Sequence, residues 1–132
     1  MQVRLGNASV AGAELAIAEQ LFGAAPTPAT VSSVAHAYSR AGLRADAQRL
    51  FERLRAMDVA GVVGAGSWPL GYLAIGDNDS AYDWLERAVA KIERHEPDEG
   101  FFNLMIIKAN VGANPVLDEP AFAALRGRIG AR

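Results

Sequence analysis

An internal repeat of 34 residues constrains the fold of this chain more than any other feature of its sequence. Four landmarks recur in register at this spacing: Tyr38 with Tyr72, Gly42 with Gly76, Ala47 with Ala81, and Leu54 with Ala88. The segments around them read AHAYSRAGLRADAQRLFERL and PLGYLAIGDNDSAYDWLERAV. A period of this length is typical of architectures in which antiparallel helix pairs stack side by side. The repeat therefore predicts an all-α fold.

Composition excludes several classes of protein. The chain has 132 residues, of which 51% are hydrophobic, which predicts one domain with a substantial core. A net charge of −2, from 13 basic and 15 acidic residues, provides no basic surface for nucleic acid or for an anionic membrane. The absence of cysteine excludes disulfides, thiolate metal sites and cysteine nucleophiles. The sequence has no apolar run of about 18 residues and no signal-peptide pattern, so we expect a cytoplasmic protein.

Apolar residues at helical spacing predict a chain of helices with no competing strand pattern. The expected caps are Thr27 or Thr30 for the second helix and Asp79 or Ser80 for the fifth, and Pro69 is expected in the first turn of the fourth. The predicted helices run from Val10 to about Phe22, from Val31 to Ala41, from about Arg44 to Met57, from Trp68 to Ile75, from Ala81 to Ile92, from Phe101 to Ala109 and from Pro120 to Ile129.

At the repeated positions the chain resembles the tetratricopeptide repeat (TPR) family, whose motif places large apolar residues, a tyrosine and alanines at fixed offsets. At the positions of the family's Leu-Gly pair and terminal proline the chain has other residues. In the first full repeat the residues at the motif positions are Val31, Val34, Ala35, Tyr38, Ala47, Phe51, Leu54 and Val59. In the second they are Ala65, Trp68, Pro69, Tyr72, Ala81, Leu85, Ala88 and Glu93.

The resemblance implies an antiparallel helix-pair solenoid, a right-handed superhelix of about three repeats in a single domain, 1–132. The expected divisions are a partial repeat at 1–25, full repeats at 28–61 and 62–95, and a degenerate terminal helix pair at 98–129. The tail PVLDEPAFAALRGRIG is similar to the closing segment of bacterial TPR domains found at the C-terminus of regulators. We therefore expect a scaffold or sensory portion of a larger bacterial regulator.

In this family the inner face of the superhelix binds peptides, and the resemblance implies which residues line it. The positions that project onto the groove are Ser32, His36, Ser39, Arg40, Leu70, Leu73, Phe101, Leu104 and Lys108. Only Arg40 and Lys108 are cations, so the clamp for a peptide carboxylate is incomplete. An apolar inner wall favours an amphipathic helix, from the same polypeptide or from a second copy in a homodimer. The alternative interpretation is that Leu70, Leu73, Leu104 and Ile107 are ordinary core residues.

Candidate catalytic and metal-ligating residues form no defined site. His36 has serines at helical spacing but no carboxylate to orient it, so a groove-lining or partly buried histidine is favoured over a catalytic base. The segment His95–Glu99 contains metal-ligating residue types without the spacing of a known site, and we expect a solvated acidic loop. We predict no enzyme activity, cofactor or metal. The alternative function is small-ligand binding in a cavity lined by Trp68, Tyr72, Phe101 and His36.

Overall fold

A computed structural model describes residues 12–20, 26–111 and 113–130. These ranges contain seven α-helices and no strand, which confirms the all-α prediction. Val10, Leu21 and Phe22, which belong to the first predicted helix, lie outside the described residues. The helices are α1 (12–20), α2 (Pro28–Arg40), α3 (Arg44–Asp58), α4 (Trp68–Ala74), α5 (Asn78–Glu93), α6 (Phe101–Ala109) and α7 (Pro120–Arg128).

Short-range signals set where these helices begin. Thr27 caps α2 by accepting a hydrogen bond from the Thr30 amide, as one of the two expected caps. Pro69 lies in the first turn of α4, where its missing N–H costs nothing. The expected cap of α5 is wrong by two or three residues, because Asp77, not Asp79 or Ser80, accepts the hydrogen bond from the Ser80 amide at 3.1 Å.

The turns after α2, α4 and α6 share one backbone geometry at the predicted spacing. Gly42 and Gly76 both have φ 81°, and Asn110, the next residue in the series, has φ 49°. This left-handed conformation suits glycine and is tolerated by asparagine. In each turn an amide donates to the carbonyl five residues earlier, which closes the helix: Leu43 to Tyr38, Asp77 to Tyr72 and Val111 to Ile106.

Two apolar clusters form the interior. The first lies between α2, α3 and one side of α4, and its buried members are Val31, Ala35, Tyr38, Ala47, Leu50, Phe51, Leu54, Trp68 and Ala74. The second joins α4 and α5 to the last helices, and its buried members are Ala65, Leu70, Leu73, Ala81, Leu85, Ala88, Val89, Leu104, Ile107, Leu117, Phe122, Leu125 and Ile129. Tyr72 and Trp84 pack against both clusters, which makes the interior continuous.

Candidate helix-binding groove

Helix α6 lies beside α2 and runs in the same direction. At one end, the Asn103 side-chain amide donates to the carbonyl of Ala29 at 3.0 Å. At the other end, Asn114 Nδ2 lies 3.1 Å from His36 Nε2, in the segment that follows α6. The residue numbers at the contacts thus increase along both chain segments from one end to the other, which is the pattern of two parallel segments. We use the name α2–α4 groove for the surface formed by Ser32, His36, Leu70 and Leu73.

The apolar half of this contact involves α4. Leu104 and Ile107 of α6 are fully buried in the same cluster as Leu70 and Leu73. Leucine and isoleucine side chains at this depth each contribute roughly 1.5–3 kcal/mol through burial. Helix α6 therefore packs beside α2 and buries its apolar residues in the same cluster as the leucines of α4.

The polar half of the contact between α2 and α6 contains or adjoins the buried polar residues of the described chain. All of them belong to α2, to the turn at 65–67 or to the segment 103–114, and they are Ser32, His36, Ser67, Asn103 and Asn114. Within the described residues, Ser32 Oγ and Asn103 Oδ1 have no hydrogen-bond partner. Buried polar atoms are normally paired. The contact between α2 and α6 is therefore more polar and less completely satisfied than the rest of the interior.

His36 is held neutral within this contact. Its side chain is 4% exposed, and burial first, then the positive charge of Arg40, lowers its pKa from 6.5 to about 4. Because the Asn114 amide group faces Nε2 as a donor, the imidazole proton is assigned to Nδ1. His36 is thus more completely buried than the predicted groove-lining or partly buried histidine, and its surroundings accept a neutral amide and disfavour a cation.

The segment before α6 anchors that helix through Glu99. The Glu99 carboxylate accepts hydrogen bonds from the backbone amides of Ala29 at 3.0 Å and Gly64 at 2.9 Å. It also accepts one from the hydroxyl of Ser67. Ala29 lies in the first turn of α2, where backbone amides have no partner inside the helix and attract anions. One side chain thus joins the start of α2 to the turn that precedes α4.

Asp98 forms a second anchor beside Glu99. Its carboxylate is 1% exposed and accepts hydrogen bonds from Lys91 Nζ at 2.7 Å and from the amides of Gly66 and Gly100 at 2.9 and 2.8 Å. Burial is the largest influence on this carboxyl and raises its pKa, but the three donors together lower the pKa below the usual value. The expectation of a solvated acidic loop is therefore wrong at Asp98.

These anchors were not predicted from the sequence, although one signal for them was present. The stretch from Gly61 to Gly66 is rich in glycine, and its backbone amides need acceptors once they are buried. Gly66 and Gly100 also approach closely, since a Cβ on Gly100 would lie 2.2 Å from the Ser67 nitrogen. Carboxylates opposite a glycine-rich turn are thus acceptors for its amides.

Of the other predicted groove residues, Arg40 joins the end of this contact, and Ser39, Phe101 and Lys108 lie beside it or face elsewhere. Ser39 and Arg40 border a cleft beside the end of α4, and Arg40 donates to the carbonyl of Ala113 at 3.1 Å. Phe101 is 49% exposed and borders a shallow depression with Ile92 and Pro97. Lys108 donates to the carbonyl of Ile129. The structure thus divides the nine predicted residues among several places, and their role in partner binding stays a prediction.

The residues proposed for a small-ligand cavity are also divided. Trp68 and Tyr72 pack on the ring of Phe51, with centroid distances of 6.3 and 5.1 Å. His36 instead faces Asn114, and Phe101 faces outward. These four side chains therefore do not line one common cavity.

No family model matches this chain, and neither curated proteins nor solved structures provide a match. Across the described ranges, no helix is both long and apolar enough to cross a bilayer. In the same ranges, no three His, Asp or Glu side chains converge as ligands for a metal ion.

Proposed function

We propose that this chain is a non-catalytic, TPR-like protein-interaction module of a larger bacterial regulator, and that its α2–α4 groove binds an amphipathic helix. Two observations support the TPR-like interpretation. The helices pair as α2 with α3 and α4 with α5, and the turns at Gly42 and Gly76 have the same φ. The buried Ala47 and Ala81, also 34 residues apart, allow close approach of the helices.

The observation that carries the proposal is that α6 packs beside α2 and shares an apolar cluster with Leu70 and Leu73. Asn103, Leu104 and Ile107 are buried residues of α6, while Phe102, on the same helix, is 66% exposed. These residues define the chemistry of a partner: an amide that reaches the Ala29 carbonyl, followed by aliphatic side chains one and four positions later. Recognition of an amphipathic helix in a groove uses this spacing.

A partner helix would compete with α6 for the groove. Its apparent affinity is reduced by the small fraction of molecules in which α6 is displaced. This competition makes binding conditional, because any change that loosens Asp98 or Glu99 increases the open fraction. Such conditional binding suits a regulator.

A helical peptide of this chain's own sequence at 98–111 tests the proposal without altering the protein. Fluorescence anisotropy of the labelled peptide should show saturable binding to the full chain. In the peptide, Leu104→Asp should abolish binding, whereas Phe102→Ala, at an outward position, should leave it unchanged. No binding of the native peptide, or equal binding of the Leu104→Asp peptide, would contradict a helix-binding groove.

A further inference from the structure

We infer that the helix entering the α2–α4 groove in trans is α6 of a second copy of this chain, delivered together with α7 by reciprocal exchange about a hinge at residues 94–97. This inference rests on the proposed function, since it names the partner of the same groove. Exchange of an identical element is a low-cost route to a dimer, because every contact of the closed monomer re-forms between copies.

The hinge is exposed and strained. Residues 94–97 follow the end of α5 at Glu93, and all four are exposed. His95 has φ 58°, a left-handed conformation that is unfavourable for a residue with a Cβ. Pro97 disfavours a helical conformation at Glu96 and favours an extended one. Opening the hinge into an extended segment therefore relieves strain, and strained short hinges favour swapping.

The surface that α6 leaves is suited to exchange. Its contact with α2 is built from hydrogen bonds of Glu99, Asn103 and Asn114, which fix one orientation. The exchanged segment also carries buried apolar residues, among them Leu104, Ile107, Phe122 and Leu125, whose contacts would re-form in the partner copy. Ser32 Oγ and Asn103 Oδ1 have no hydrogen-bond partner in the closed form, so exchange breaks no hydrogen bond at these two atoms.

Two ion pairs span the hinge and would join two copies in an exchanged dimer: Lys91 with Asp98, whose side chain is buried, and Arg128 with Glu93, which is exposed and therefore suits a charge swap. Arg128, at the end of α7, contacts Glu93, before the hinge, with Nη2–Oε1 and Nε–Oε2 distances of 2.5 and 3.0 Å. In the exchanged form this pair joins two copies. Arg94 and Glu96 form another exposed pair, at 2.5 Å, but they belong to one hinge and stay within one chain.

A charge-swap experiment uses this difference. One full-length chain carries Glu93→Arg and a second carries Arg128→Glu. In either chain by itself, positions 93 and 128 then have charges of the same sign. When the two are unfolded together, refolded at high concentration and weighed by native mass spectrometry, only an exchanged heterodimer pairs opposite charges at both sites. We expect heterodimers above the one-half fraction of random pairing. The matched mixture of Arg94→Glu and Glu96→Arg chains should pair at random.

A second measurement uses the dimer dissociation constant of the otherwise unaltered chain, obtained from light scattering over a concentration series. His95→Gly removes the strain that each closed monomer carries at its hinge and that exchange relieves, so it should raise the dissociation constant about tenfold. Ala113→Gly is the control. Ala113 also has positive φ, at 50°, but it lies inside the exchanged segment, so its backbone conformation is the same in the monomer and in the exchanged dimer. Its dissociation constant should equal that of the unaltered chain.

The outcomes separate the inference from the proposed function. Enriched heterodimers together with the His95→Gly effect support exchange. Dimers that pair at random, or a chain that is monomeric at every concentration, overturn it. If exchange fails while the 98–111 peptide binds, the groove recognises helices and its partner is another protein. If the peptide also fails, the proposed function falls with the inference.

Discussion

Lys91 Nζ lies 2.7 Å from Asp98 Oδ1, which joins the last turn of α5 to the residue two positions before the N-cap of α6. The carboxylate is 1% exposed, whereas the Lys91 side chain is 27% exposed. The carboxylate is therefore buried against backbone amides, with the ammonium group closing its outer side. The position of α6 depends on this arrangement, because only Glu99 and Gly100 separate Asp98 from the helix.

Asp98→Asn should destabilise the fold by about 2 kcal/mol, because it removes the ion pair and places an amide donor against buried N–H groups. The measurement is urea unfolding followed by circular dichroism. Glu96→Gln, on the same loop but exposed and paired only with Arg94, should cause no measurable change. Equal losses for both variants would show that the Asp98 anchor contributes nothing specific.

The stability of the chain should fall as the pH decreases from 6.5 to 4. The pKa of His36 is about 4 in the folded chain against 6.5 for a free histidine, so the unfolded state binds the proton first. The stabilisation is fully present above pH 6.5 and is lost as the pH approaches 4, by at most ~3 kcal/mol.

The variant His36→Gln tests this assignment, because it keeps a polar group near Asn114 but cannot take up the proton. Its free energy of unfolding should change less between pH 6.5 and 4 than that of the unaltered chain. His95→Gln, which removes the other histidine from an exposed position, is the control. A pH dependence unchanged by His36→Gln would assign the acid sensitivity to other groups.

Gly100→Ala should be among the most destabilising single substitutions, by about 3 kcal/mol, because the new Cβ would lie 2.2 Å from a backbone nitrogen that cannot move alone. Gly127→Ala is the matched change. A Cβ at Gly127, inside α7, meets nothing within 4 Å, so alanine there should stabilise the fold by roughly 0.5 kcal/mol. Thermal unfolding of both variants gives the comparison, and a loss at Gly127 would contradict the geometry of α7.

Helix α1 should be held to α2 through Tyr38. The Tyr38 hydroxyl donates to Glu19 Oε1 at 3.0 Å, and Arg49 pairs with the same carboxylate at 2.6 Å. A double-mutant cycle with Tyr38→Phe and Glu19→Gln should give a coupling energy of about 1 kcal/mol. Additive effects would mean that the two groups do not interact in solution.

Local signals explain what the sequence could predict. The apolar run of α6 and the glycine and asparagine at its boundaries are contained within about ten residues, and the predicted bounds, Phe101 and Ala109, are those observed. The 34-residue register likewise depended on residues that pack within or next to one helix pair. Helix identity and the inward positions of Phe122, Leu125 and Ile129 were therefore predictable.

The placement of α6 was not predictable, because it depends on contacts between distant residues. Asn103 meets Ala29 across 74 positions and Glu99 meets it across 70. No periodicity in a single sequence encodes such pairings. For the same reason Asp98 looked like a solvent-exposed acid until the amides of Gly66 and Gly100 were located around it.

The left-handed turn residues at Gly42, Gly76 and Asn110 also have a consequence for how such chains can lengthen by gene duplication. Since each joint has the same local geometry and recurs at one interval, an in-frame duplication of the intervening segment inserts a helix pair whose two junctions are already correct. Lengthening of this kind needs no compensating substitution at the joint. The segment that precedes α6 is different, since its anchors at Ala29 and Gly64 belong to particular neighbours, and a copy inserted there would separate them.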